Sequence, residues 1–326
     1  MLHCKKYSVL IFILWLVGCG VDDQRMVIRM GHNFDTQHTI HRSILVMQQA
    51  LERVSNNTMT LQIYPSAQLG SEREMIELLQ IGSIGMTKVS ASPLVSFVPE
   101  MQIFDVPYVF RNHDHFLSVL DSHVGQGLLN ATAPSKLVGL GYFDAGSRSF
   151  YTTSKPVHSP ADLAGMKIRV QESQMAMAMV ASLGGSPTPI AWGELYTALQ
   201  QGVVDGAENN PPSYYLSRHF EVAPFFTLDE HSAVPDVLLM SKVIWDDLIP
   251  TQQSWVKLAV QEAVEFQRQQ WQLDTETALR EVANAGVEII QVDTAVFKDQ
   301  VSTLHASFDG TSLAQTIQLI QEVGRD

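Results

Sequence analysis

Only two cysteines occur in the 326 residues, Cys4 and Cys19, and both lie in the N-terminal leader region. With Cys4 removed and Cys19 modified, no thiol remains for a disulfide, a nucleophile or a thiolate metal site. Positive charge is scarce too: 21 Lys and Arg stand against 34 Asp and Glu, a formal net charge of -13. Nucleic acid selects basic faces, so no nucleic-acid partner is expected. G-x-S-x-G, P-loop, G-x-G-x-x-G and H-E-x-x-H patterns are all absent. No motif therefore nominates a catalytic, phosphate-binding or cofactor site. What remains is an acidic chain, 45% hydrophobic, with enough core for two lobes. If such a body binds an anion, it must gather its few cations locally.

The N-terminus reads as an export signal. Lys5 and Lys6 precede an apolar run, Val9 to Leu16, too short for a comfortable membrane span. Leu16-Val17-Gly18-Cys19 resembles a bacterial lipobox. Residues 1–18 are thus expected to be a lipoprotein signal peptide, Cys19 the lipidation site and 19–25 a tether. An ordinary signal peptide with a chance Cys is the alternative. Either way the mature chain lies outside the cytoplasm, and the lipobox places it in the periplasm, lipid-anchored to a bacterial membrane.

The mature sequence alternates strand and helix patterns, an α/β arrangement. Met26 to Gly31 and Thr58 to Tyr64 alternate as strands, and Ile44, Met47, Leu51 and Val54 mark one helix face between them. Ser71-Glu72-Arg73-Glu74 is a capping box opening a helix that stops at Gly82. Leu137 to Phe143 reads as a buried strand leading into Arg148. Met166 to Val170 is a strand carrying Arg169, and Val203 to Glu208 is a short strand delivering Asn209. From Thr251 to about Ala285 there is no Pro or Gly, and an apolar stripe includes Trp255, Ala259, Phe266 and Trp271. A helix of that length exceeds one lobe and spans two.

The candidate chemistry sits in Gly146–Asn210. The planar fork of an Arg matches a carboxylate with two parallel N–H···O bonds. Arg169 lies near a strand end, where α/β folds place ligands. A structural salt bridge is the competing reading for a lone Arg, but Arg148 and Asn209 lie at similar edges. Asn209 can offer amide donors to the same carboxylate or to a hydroxyl. Trp192 either stacks on a sugar ring or packs in the core. Tyr214 and Tyr215 divide between core and ligand wall, with Tyr215 taken as wall. Glu72 either accepts hydroxyls or stands in a solvated first turn. His32, His38 and His41 do not form a zinc pattern; one of them, His38, is the candidate to line a ligand pocket.

At these residues the chain resembles the extracytoplasmic solute receptors of TRAP transporters, the DctP-type periplasmic binding proteins. The resemblance rests on Tyr64-Pro65-Ser66-Ala67-Gln68-Leu69-Gly70-Ser71-Glu72, Asp162-Leu163-Ala164-Gly165-Met166-Lys167-Ile168-Arg169-Val170, Ser186-Pro187-Thr188-Pro189 and the run from Glu194 to Asn209. It implies that Arg169 clamps a ligand carboxylate, that Arg148 and Asn209 assist, and that Trp192 packs on the ligand. It also implies an α/β fold of two lobes joined by hinge strands, with a long helix across both. The expected division is 26–146 with 235–274 as lobe I and 147–234 with 275–326 as lobe II. The run Gly141 to Tyr151, which includes Phe150, and Asn209 to Tyr215 look like the branch that binds sugar acids such as hexuronates. The implied function is capture of a small organic acid and delivery to a TRAP membrane permease, with no bond made or broken. The rival reading is an exported α/β hydrolase or lyase acting on an acidic sugar. A receptor serving a sensor instead of a permease is a further one.

Overall fold

A computed structural model describes residues 25–324. The leader, Cys19 and the greater part of the tether lie outside the described residues. Eleven strands form two sheets. They are β1 (Met26–Gly31), β2 (Met59–Tyr64), β3 (Met86–Ser90), β4 (Leu137–Phe143), β5 (Arg148–Thr152), β6 (Lys167–Val170), β7 (Ser186–Pro189), β8 (Gly206–Asn209), β9 (Phe225–Ser232), β10 (Asp236–Ser241) and β11 (Glu288–Gln291). One sheet has the order β2-β1-β3-β10-β4, the other β11-β9-β5-β8-β6-β7. Each is the floor of one α/β lobe.

The chain crosses between the lobes at β4–β5 and again at β9–β10, and Arg148 pairs with Ser232 where the crossings meet. Gly146, in the first crossing, has φ of +58°, a left-handed conformation that suits glycine. The helix Pro250–Asn284 is unbroken over 35 residues, about 50 Å at 1.5 Å per residue. Its first half packs Val256, Ala259, Val260 and Ala263 into the first-lobe core. Val282, near its other end, packs with the second-lobe residues Tyr151, Leu199 and Phe226. The long uninterrupted stretch thus braces both lobes.

Local chemistry explains several elements. Ser71 Oγ accepts from the Glu74 N–H while the Glu74 carboxylate accepts from the Ser71 N–H at 2.7 Å, the reciprocal cap that the sequence pattern predicts. The stretch around Phe116 to Leu129 forms two helices, His113–Asp121 and His123–Asn130. Ser122 divides them because its hydroxyl caps the second, accepting from Val124 N–H. The prolines of β7 disfavour a central strand, and β7 lies at a sheet edge.

The terminal segment departs from the expected division, which gave 275–326 to lobe II. Phe297 and Val301 pack with Phe150 and Ile168 of the second lobe. The final helix, Ser312–Glu322, instead joins the first-lobe core through Leu313 and Ile320, alongside Phe116 and Val124. Arg111 donates to the Gln321 and Val323 carbonyls at 3.1 and 2.7 Å and fastens it there. The apolar stripe of this helix finds its complement across the hinge, a long-range match that periodicity does not reveal.

Candidate functional site

The site is built where β5, β8 and β6 lie side by side. Ser149 pairs with Asn209 and Arg169 with Ala207, so Arg148, Glu208, Asn209 and Arg169 gather at one end of the second sheet. The first lobe faces that end with Phe34, His38, Glu72 and Lys88. Bonds cross the gap: Ser90 Oγ donates to Gln171 Oε1 at 3.1 Å, and Ser173 Oγ donates to the Asp105 carboxylate at 2.6 Å. Phe34 meets Trp192 edge to face at 5.6 Å.

Three Lys or Arg side chains are buried among the described residues: Lys88, Arg148 and Arg169. Lys88 Nζ donates to Glu72 at 3.1 Å and Asp236 at 2.9 Å. Arg148 pairs with Glu208 through Nε, and its Nη2 donates to Glu208 Oε1 at 2.9 Å. Arg169 has no carboxylate partner. Its Nε donates to the Ile190 carbonyl at 2.8 Å, and its Nη1 is buried with no protein partner. Burial holds its pKa below the usual range, only partly offset by the field of Glu208. A cation 1% exposed and without a counter-ion is an expensive arrangement that an incoming anion relieves.

The two arginines that sequence alone treats alike are thus different. Arg148 commits its fork to Glu208, and its Nη1 donates to Asn209 Oδ1 at 3.0 Å. That oxygen also accepts from the Asn210 N–H at 2.9 Å. Both bonds fix Asn209 with its amide nitrogen directed away from Arg148. No sequence pattern nominates Glu208, although an acid inside a short buried strand requires a partner. His231 completes the cluster. Its Nδ1 lies 2.8 Å from Asp229 and its Nε2 3.6 Å from Glu208. Burial alone would lower His231, but the two carboxylates outweigh it and raise its pKa to about 9. Burial would raise Glu208, but Arg148 and His231 hold it at about 2.

Arg169, Trp192 and Glu72 line one cavity, with Asn33, Gln171, Ala191 and Pro93. The Arg169 guanidinium carbon lies 5.9 Å from the Trp192 ring. Glu72 does not stand in a solvated first turn: it is buried, and its Oε1 accepts from Lys88 and from the Ser90 N–H at 3.0 Å. Asn33, also unforeseen, has a buried Oδ1 with no partner on the same cavity. The open space is about 40 Å³, enough for a few waters at most.

The remaining candidates do not line this cavity. His38 is a buried helix cap, accepting from the Ile40 N–H at 3.2 Å, stacked on Phe34 and 3.4 Å from Ser213 of the other lobe. Burial lowers its pKa. Phe150 is wholly buried in the second-lobe core, its ring 4.5 Å from His231. Tyr215 stacks on Phe220 and lines a separate cleft with Gln37, Arg42 and Asp274. Neither Phe150 nor Tyr215 is brought to the Arg169 cavity. Tyr214 is core, its hydroxyl donating to the Ala223 carbonyl. Larger clefts of about 190 and 480 Å³ flank the hinge near Ser147 and Glu230. Neither holds a buried unpaired guanidinium: Arg268, on the larger, is bonded to Asp121 through both terminal nitrogens, and Arg111, on the smaller, is exposed. Charge, not volume, selects the Arg169 cavity. Among the described residues no cluster of three or more His, Cys, Asp or Glu is placed to hold a metal. None of their helices is long and apolar enough to cross a membrane.

Two α/β lobes on crossing strands, closing over a buried cation, define a hinged solute-binding protein. Residues 30–311 match the family described as bacterial extracellular solute-binding protein, family 7 (DctP), and the chain belongs to it. It is a TRAP-type extracytoplasmic receptor, periplasmic and serving a membrane permease, and a binding protein rather than an enzyme. A protein named YiiZ from Salmonella typhimurium is 35% identical over 281 residues, 86% of each chain. A periplasmic solute-binding protein from Bradyrhizobium sp. btai1 b, solved with alpha/beta-D-galacturonate, is 40% identical. It superposes with a TM-score of 0.88 over 90% of this chain and 99% of its own. One from Pseudomonas putida F1, solved with D-glucuronate, is 36% identical, with a TM-score of 0.89 over 92% and 98%.

Proposed function

We propose that the chain captures a sugar acid, a hexuronate such as galacturonate or glucuronate, with Arg169 as the carboxylate anchor. The observation that carries this is the buried Arg169 guanidinium, which has no counter-ion in the protein. A ligand carboxylate supplies it. Asn209 offers its amide N–H₂ beside the anchor, and Arg148 acts through Asn209 by fixing its orientation. Trp192 covers an apolar face of the ring, His38 and Phe34 back that wall, and Glu72 and Asn33 accept ligand hydroxyls. Relatives solved with galacturonate and glucuronate support the choice of acid. Lobe closure expels water, which strengthens the Arg169 ion pair. The ligand favours the closed state only by its higher affinity for it. Residues 26–146 with 235–274 form the first lobe in this reading, and 147–234 the core of the second. The leader and Cys19 make the receptor a lipoprotein, held to the membrane from which it feeds the permease.

The test is calorimetric titration and thermal shift against hexuronates, C4 dicarboxylates and amino acids. Hexuronates are expected to bind saturably. At 100 times Kd they add about 2.7 kcal/mol of stability. A shift with amino acids or C4 dicarboxylates and none with hexuronates contradicts the reading. Mass spectrometry of the membrane-extracted protein reports the lipid on Cys19 directly; an unmodified N-terminus beyond residue 19 contradicts the anchor.

A further inference from the structure

We propose that the first-lobe wall of the Arg169 cavity rejects dicarboxylates, so that the receptor separates sugar monoacids from the corresponding diacids. This rests on the reading of Arg169 as the carboxylate anchor.

The wall opposite Arg169 presents acceptors. Glu72 Oε1 is filled by Lys88 and the Ser90 N–H. Its Oε2 accepts no bond from the described protein. Asn33 Oδ1 is buried and unpartnered beside it. The buried cation and the hydroxyl of the same wall are committed, and its other cation, Arg73, is exposed. Lys88 is wholly buried and shared between Glu72 and Asp236, and its ammonium sits over the Phe34 ring at 4.1 Å. Its three N–H directions face two carboxylates and an aromatic face, which leaves none for a ligand. Arg73 pairs with Glu77 at 3.3 Å and lies over Phe97 at 5.3 Å. Ser71 Oγ donates to Glu74 at 2.9 Å.

A hydroxylated acid anchored at Arg169 meets this wall with O–H donors, which satisfies both acceptors. A diacid meets it with a second carboxylate, which finds no buried cation free to pair with it and carries the same sign as Glu72. Discrimination then comes from a repulsive element as well as from attraction. The mismatch leaves buried acceptors unpaired, the situation in which polar sites reject analogues most strongly. Lys88 is a positioning residue here. It holds Glu72 in place while withholding its own charge from the ligand.

Galacturonate, linear galactonate and linear galactarate test this by titration calorimetry. The last two differ only in whether the far carbon is a hydroxymethyl or a second carboxylate. The wild-type protein is expected to bind galactonate about 100-fold or more tighter than galactarate. Glu72→Gln removes the charge and supplies a donor, and the ratio should fall about tenfold or more. Asn33→Asp keeps acceptors and adds charge, and the ratio should rise. It also serves if the Glu72→Gln variant fails to fold. A monoacid-to-diacid ratio near one in wild type, or ratios unmoved in both variants, overturns the filter and leaves the Arg169 anchor standing. Failure of all monoacids to bind the wild-type protein overturns the anchor reading and the filter with it.

Discussion

Replacing Arg169 with methionine is expected to weaken hexuronate binding by about 1000-fold while raising the melting temperature of the ligand-free protein. The two effects have one cause. In the free protein the guanidinium is buried, bonded only to the Ile190 carbonyl through Nε, and lacks a counter-ion. Removing such a charge relieves a desolvation penalty, and an apolar chain of similar volume fills the space. In the complex the same charge is paired at short range in a dry site, where truncating one partner costs about 2–5 kcal/mol. At 1.4 kcal/mol per decade the upper part of that range reaches 1000-fold. Arg169→Lys separates charge from geometry, because lysine lacks the planar fork. It should lie between wild type and methionine in affinity. Titration calorimetry and differential scanning calorimetry on the same preparations read both quantities. A methionine variant that binds normally, or one that melts lower when empty, contradicts this account of Arg169.

Glu208→Ala is expected to be the most destabilising single change at the site, by about 3–5 kcal/mol in urea unfolding, since it leaves Arg148 buried without its carboxylate. A simultaneous Arg148→Met, which removes the stranded charge, should recover much of that loss, so the pair is non-additive. A sum of the two single losses in the double variant contradicts this. The cluster also predicts a pH window. His231 stands at about 9 in the folded chain against an ordinary 6.5, so its contribution is whole below pH 6.5 and lost as pH rises through 9. Glu208 stands at about 2 against 4.5, so its contribution is whole above pH 4.5 and lost as pH falls through 2. The stability difference between wild type and His231→Gln should therefore shrink between pH 6.5 and 9. A difference that grows over that interval contradicts the His231 assignment.

Local signals carry most of the fold. The Ser71–Glu74 cap, the strand Met26–Gly31 and the long helix from Pro250 are each determined by residues a few positions apart. The least legible strand is β9, because Asp229, Glu230, His231 and Ser232 do not read as a buried strand. Asp229 and His231 are tolerated there because each is partnered in the Arg148–Glu208 cluster, a fact of tertiary pairing. The same limit applies to the site. Arg148 and Arg169 occupy comparable strand edges, and sequence marks both as carboxylate ligands. Glu208 reaches Arg148 from the adjacent strand, which only the antiparallel β5–β8 register reveals. Glu72 and Lys88 are 16 residues apart, and their bond appears once the helix and β3 pack. Asn33 has no signal beyond a polar residue after a strand.

Which arginine meets the ligand decides how the receptor works. A crystal structure of the protein with glucuronate is the most direct measurement. The ligand carboxylate is predicted to accept from Arg169, with Nη1 at about 2.7–2.9 Å as for a charge-assisted bond, while Arg148 stays on Glu208 and Asn209. A carboxylate bound to Arg148, with Glu208 displaced and Arg169 still unpartnered, would contradict it.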